Sequence, residues 1–292
     1  MTRKNIFEIL EEKYDINLEL YRISQLFSSF LINYKFVIGF REVKNENYTI
    51  EDLVSKIFYD WKSRGSCISC RDMREHLNID EIEIKKIKDF DEILLCLEYY
   101  INIQNLFLNK VIPDLSNEYR IDSNFQLLQE NINILLDHIN YKKVIFEKEE
   151  KVILVPKDPA ATAVAEISSD DVAFAIMKYH HASLKGNLNE KKRLLLSIAH
   201  EYEPLLEKPV DGFTKYFDDA NNMLNNAHIR HNNKSGRDRK ELIANMSDED
   251  LEKWYDELYQ LLLFCVLVKN NKERKEKIHA FLAEINAKPD KK

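Results

Sequence analysis

Val144-Ile145-Phe146-Glu147-Lys148-Glu149-Glu150-Lys151-Val152-Ile153-Leu154-Val155-Pro156-Lys157-Asp158-Pro159 breaks the helical period of the sequence around it. Two short β-prone runs flank a charged loop, the pattern of a β-hairpin. Pro156 and Pro159 end it, because a proline removes a ladder donor. The stretch 142–160 therefore reads as a hairpin and linker. It separates a helical N-terminal domain, 1–141, from a helical bundle, 161–287, and 288–292 reads as a disordered tail.

Composition agrees with helices on both sides. Among 292 residues there are only 5 Gly and 6 Pro, too few for the turns of a sheet-rich fold. The chain is 45% hydrophobic and 32% charged, enough for a sizeable core. A net charge of -7 argues against a basic coat for non-specific nucleic-acid binding and leaves room for one local basic site. Residues 6–12 are amphipathic and acidic rather than continuously apolar, so no secretory segment is expected. The strongest apolar run, Leu261 to Val268, is too short to span a bilayer. Four cysteines suit a reducing compartment. The expectation is a mostly α, cytoplasmic protein of two helical domains, with no membrane and no cofactor.

In the first half, Leu18, Leu20, Tyr21, Ile23, Leu26 and Phe27 recur at helical spacing. Thr49 with Asp52 comes close to a capping box, opening a helix expected to reach about Lys62. Cys67-Ile68-Ser69-Cys70 has dithiol spacing, but only His76 lies nearby to complete a metal set, so a structural role is expected. Two long helices follow, over 90–112 and 123–140, the second capped by Asp122 or Ser123.

In the second half, Ser168 or Ser169 caps a helix from Asp170 to about Ser183, and Asn189 caps the next. Phe213 to about Arg230 keeps the helical period. Ser247 caps a long helix with Asp248, Glu249 and Asp250 in its first turn, where carboxylates complement the helix dipole. A charged segment, 272–286, follows. Asp256 and Gln260 share a face of the long helix and read as a solvated stripe.

The densest polar chemistry is Asn225-Asn226-Ala227-His228-Ile229-Arg230-His231-Asn232-Asn233-Lys234. Two readings stand. In one, Arg230 and His231 cap helix carbonyls and the asparagines make a turn. In the other, Arg230 grips a phosphate bidentately, His231 moves a proton, Asn232 or Asn233 orients a hydroxyl, Asn226 helps bind the substrate, and Lys234 extends the positive field. The second imidazole pair, His180 and His181, closes the first helix of the bundle. An up-down arrangement puts it at the same end as Arg230 and His231, with His181 assisting catalysis and His180 binding substrate. RNA cleavage needs no metal when the 2′-hydroxyl is the nucleophile.

Residues 145–286 also resemble a family of uncharacterised bacterial helical proteins. The resemblance lies in Val155 to Ala163, Tyr179 to Gly186, Leu224-Asn225-Asn226, Ile229-Arg230-His231-Asn232-Asn233 and Trp254 to Gln260. More remotely, Arg230 and His231 at a helix end resemble the HEPN superfamily. Many HEPN proteins are metal-independent ribonucleases of abortive-infection and toxin systems, usually dimeric. In their motif four to six residues separate Arg from His; here His231 follows Arg230 directly. The resemblance implies a defence protein that binds RNA or a nucleotide, with a homodimer or protein partner, and with ribonuclease activity as an open question. The alternative is a non-catalytic helical interaction or regulatory module.

Overall fold

The computed structural model describes residues 15–35, 45–79, 84–114 and 123–286. The chain is mostly helical and divides into two compact units, 1–157 and 158–292. The expectations for 6–12, Asp122 and 288–292 lie outside the described residues. Among the described residues, no helix is long and apolar enough to cross a membrane.

In the first unit, α1 (Ile16–Ser29) is capped by Asp15, whose carboxylate accepts the Asn17 and Leu18 amides. Strands β1 (Ile32–Lys35) and β2 (Asn45–Tyr48) then pair antiparallel, with Ile32 opposite Tyr48. This pairing was not expected: Asn45-Glu46-Asn47-Tyr48 holds no β-branched residue. Thr49 and Asp52 do form the capping box of α2 (Ile50–Ser55). That helix stops at Ser55 rather than near Lys62, and a 3₁₀ turn covers Phe58–Asp60. The turn sets Phe58 edge-on to Trp61 at 5.6 Å, and the Trp61 indole donates to the Glu150 carbonyl at 2.6 Å. Tertiary packing overrides helical propensity here.

Helix α3 (Cys70–His76) follows, with Cys67 and Cys70 both buried free thiols. Burial pushes Cys70 up to about 12. Helices α4 (Phe90–Leu106) and α5 (Ser123–His138) fall near the expected segments, α4 running into a π turn at Phe107–Val111. Strands β3 (Tyr141–Phe146) and β4 (Lys151–Pro156) form the expected hairpin, longer than the apolar runs that marked it. Side chains of α4 satisfy the open edge of β4. Asn102 accepts the Val152 amide at 2.8 Å and donates to its carbonyl at 2.7 Å, and Glu98 accepts the Leu154 amide at 2.8 Å. The hairpin thus packs onto α4 within the first unit.

The second unit is a helical bundle that opens with an unexpected helix, α6 (Pro159–Ala165). Asp158 caps it and Pro159 takes the first-turn position that proline favours. Helix α7 (Asp170–Lys178) stops short of Ser183; a 3₁₀ turn, Ala182–Leu184, follows. Helix α8 (Leu188–Glu201) is capped by Asn187, not Asn189. The short α9 (Glu203–Leu206) leads to α10 (Thr214–Asn226), which ends before Arg230. After α11 (Glu241–Ala244), Ser247 accepts the Asp250 amide at 3.1 Å and starts α12 (Asp248–Asn286). This 39-residue helix joins the long helix and the charged segment into one element. Helices α6, α8, α9 and α10 pack on its first half, where Leu251, Tyr255, Leu258, Tyr259, Leu262 and Val266 are buried. Tyr259 stacks on Tyr179 at 4.2 Å and donates to the Ile176 carbonyl at 2.9 Å.

Lys191 of α8 is only 5% exposed, rare for a lysine. Its ammonium lies 2.8 Å from Glu252 and 2.7 Å from Asp256, one turn apart on α12. Asp256 is therefore part of an ion triad rather than of a solvated stripe. Its partner Gln260 donates to Asp158 at 3.3 Å. Removing Lys191 leaves two carboxylates facing each other without a cation. Lys191→Ala is expected to cost about 2–4 kcal/mol in urea unfolding, below the full cost of a wholly buried pair because Asp256 is half-exposed. A loss under about 0.5 kcal/mol would contradict the clamp.

Candidate functional site

The end of α10 builds the loop that the sequence singled out. The helix stops at Asn226, and His228 takes a left-handed conformation with φ 63°. That region costs a non-glycine residue about 1–2 kcal/mol, so neighbours must hold it. They do: the His228 amide donates to Asn233 Oδ1 at 2.7 Å, and its carbonyl accepts from the Tyr255 hydroxyl at 3.2 Å. Asn233, 1% exposed, also donates to the Asp238 carbonyl at 2.9 Å. Its amide group folds the loop through these two hydrogen bonds.

The other expected residues are engaged separately. The Arg230 guanidinium sits 3.1 Å from Glu203 and donates to the side-chain oxygens of Asn221 and Asn225, each at 3.4 Å. With 22% of its side chain exposed, it reads as a tie between α9, α10 and the loop rather than as an open phosphate fork. His231 is exposed. His181 is 8% exposed, and its Nδ1 accepts the Ser183 amide at 3.2 Å, capping the 3₁₀ turn. His180 lies edge-on to Tyr259 at 4.9 Å, and burial holds its imidazole below its usual range, partly opposed by Asp256. Asn226 donates to the Asn222 carbonyl and Asn232 to Ser235, each at 2.9 Å. Arg230 and His181 are thus each engaged in local contacts of their own, Arg230 with Glu203, Asn221 and Asn225 and His181 with Ser183.

A different set lines one cavity. Its volume is about 380 Å³, and it lies between the α7–α8 turn and the loop after α10. Lys185, Lys192, His228 and Lys234 line it with Asn187, Asn189, Asp248 and Tyr255. Of the expected residues only Lys234 belongs to it. Lys234 is held 2.6 Å from Asp248, whose side chain is 74% exposed, a pairing worth at most about 1 kcal/mol. Burial alone lowers the Lys192 ammonium from its ordinary range. Burial, then the fields of Lys192 and Lys234, lower the His228 imidazole, with Asp248 opposing. The His228 Nδ1 is buried and without a hydrogen-bond partner among the described residues. Such a site disfavours one more cation and favours an anion.

The helix N-terminus adds little to this field. The Gly186 amide already donates to both oxygens of Glu252 at 3.0 Å, and Asn187 takes the Glu190 amide at 3.1 Å. The lysines therefore carry the charge. Sequence reading missed His228 and Lys192. His228 lay in the dense polar stretch without a role of its own, and Lys192 was not singled out. Among the described residues, no group of three or more His, Cys, Asp or Glu side chains is placed to hold a metal ion.

Comparison with protein-family models, curated proteins and solved structures returns no match.

Because Asn233 satisfies groups on both sides of the loop, Asn233→Ala is expected to destabilise the chain by about 2–3 kcal/mol by leaving the His228 amide and the Asp238 carbonyl unpaired. Chemical denaturation checks this. An unchanged midpoint would mean that the loop holds its shape without Asn233.

Proposed function

We propose that the C-terminal bundle binds RNA in the cytoplasm through the lysine-lined cavity, without Arg230, His231 and His181 acting as a catalytic set. The observation that carries this reading is the convergence of Lys185, Lys192, Lys234 and a depressed His228 on one cavity, in a chain of net charge -7. A local positive field in an acidic protein selects a polyanion by position rather than by overall attraction. The HEPN resemblance around Arg230-His231 supports RNA as that polyanion and bacterial defence as its setting. The lining supplies cationic side chains suited to holding a phosphate, and the proposal is therefore binding.

A second reading, a protein-interaction module, is favoured by one observation. Ile278, Phe281, Leu282 and Ile285 follow helical spacing on α12 and are all exposed.

RNA binding is tested by fluorescence anisotropy with a single-stranded RNA across a range of salt. Lys192→Ala is expected to weaken binding and to reduce the slope of log K against log salt by about 0.7, one phosphate contact. Full binding by Lys192→Ala, with loss in a folded Arg230→Ala variant, would return the site to the Arg230 stretch. Absence of RNA binding by the wild type would leave the interaction module.

A further inference from the structure

The same cavity carries a sharper assignment, which rests on the RNA-binding reading for its ligand family. Lys192 and Lys234 bring two positive charges to the lining, and Asp248 answers Lys234 until an anion takes its place, with His228 neutral. An internal phosphodiester carries one negative charge. A terminal phosphomonoester carries about 1.5 to 2 near neutral pH and presents three acceptor oxygens. The volume, about 380 Å³, is at the small end of ligand pockets, which span roughly 300–1,000 Å³. It suits one nucleotide end better than a stretch of continuous chain.

Asp248 fits this balance as an internal stand-in. Its carboxylate sits 2.6 Å from the Lys234 ammonium, on the cavity wall, while its side chain stays mostly in solvent. A bound phosphate would take the same ammonium and release the carboxylate to water. Among the described residues Lys192 makes no ion pair, and burial lowers its ammonium from the ordinary range.

We propose that the cavity lined by Lys185, Lys192, His228 and Lys234 recognises the terminal phosphomonoester of an RNA or nucleotide, with Asp248 holding Lys234 until the phosphate displaces it. Lys192 and Lys234 grip the phosphate; Asp248 sets how much of Lys234 is available.

The test uses the full chain and one short single-stranded RNA in three forms: 5′-phosphate, 3′-phosphate, and hydroxyls at both ends. Inorganic phosphate and adenosine monophosphate serve as competitors. At least one phosphate-ended RNA is expected to bind about tenfold tighter than the hydroxyl-ended form, with both competitors erasing the difference. Lys192→Met should abolish that advantage while leaving residual binding. Asp248→Asn should increase it, which a merely structural residue would not do. Equal binding of all three RNAs, or an advantage that survives in Lys192→Met, would overturn the assignment. Phosphate-sensitive binding of adenosine monophosphate without binding of the hydroxyl-ended RNA would support the assignment and overturn the RNA reading instead. The two failures are therefore distinct.

Discussion

The buried ammonium of Lys191 is the constraint on which the C-terminal unit turns. One cation on α8 answers two carboxylates of α12, at 2.8 Å and 2.7 Å. Glu252 does double duty, because its oxygens also accept the Gly186 amide. The triad therefore fixes both the α8–α12 packing and the turn that precedes α8. That turn is one wall of the cavity. A hydrophobic pair of the same volume would hold the helices together equally well. It would not orient the Gly186 backbone.

The opposite wall depends on Asn233. A buried amide side chain bonds groups on both sides of the loop and holds His228 left-handed, with Tyr255 of α12 locking the His228 carbonyl. Both walls are thus tied to the first half of α12. The same helix supplies the Tyr259 stack and the buried row that the other helices cover. Where α12 leaves the bundle, from residue 271, it carries no buried residue. Packing, loop geometry and electrostatic field are consequences of one element with two different halves.

Local signals were legible in the sequence, and long-range ones were not. The Thr49–Asp52 box and the Ser247 cap are set by residues three apart, and both stand as read. The 144–155 hairpin was visible in its apolar runs. Asn187 and Asn189 are chemically equivalent caps, and only the course of the turn chooses Asn187. The β1–β2 pairing rests on strands with little β propensity. Arg230 was conspicuous by type, but Glu203 lies on another helix, and the claim of Asn221 and Asn225 depends on how the loop turns back on α10. Lys234 was identified because it lies in the dense polar stretch. Lys192 and Lys185 join it only through the fold, and no spacing rule links them.

The most direct test follows the histidine imidazole protons by NMR while the full chain is titrated with a short single-stranded RNA at fixed salt. In the free protein burial and two lysines depress His228. An anion in the cavity would cancel those lysine fields, so its pKa is expected to rise on binding, as opposite charge favours the protonated ring. His180, edge-on to Tyr259, should hardly move. A His228 resonance that titrates identically with and without bound RNA, while His231 shifts, would contradict the assignment of the cavity and place the RNA on the Arg230–His231 surface.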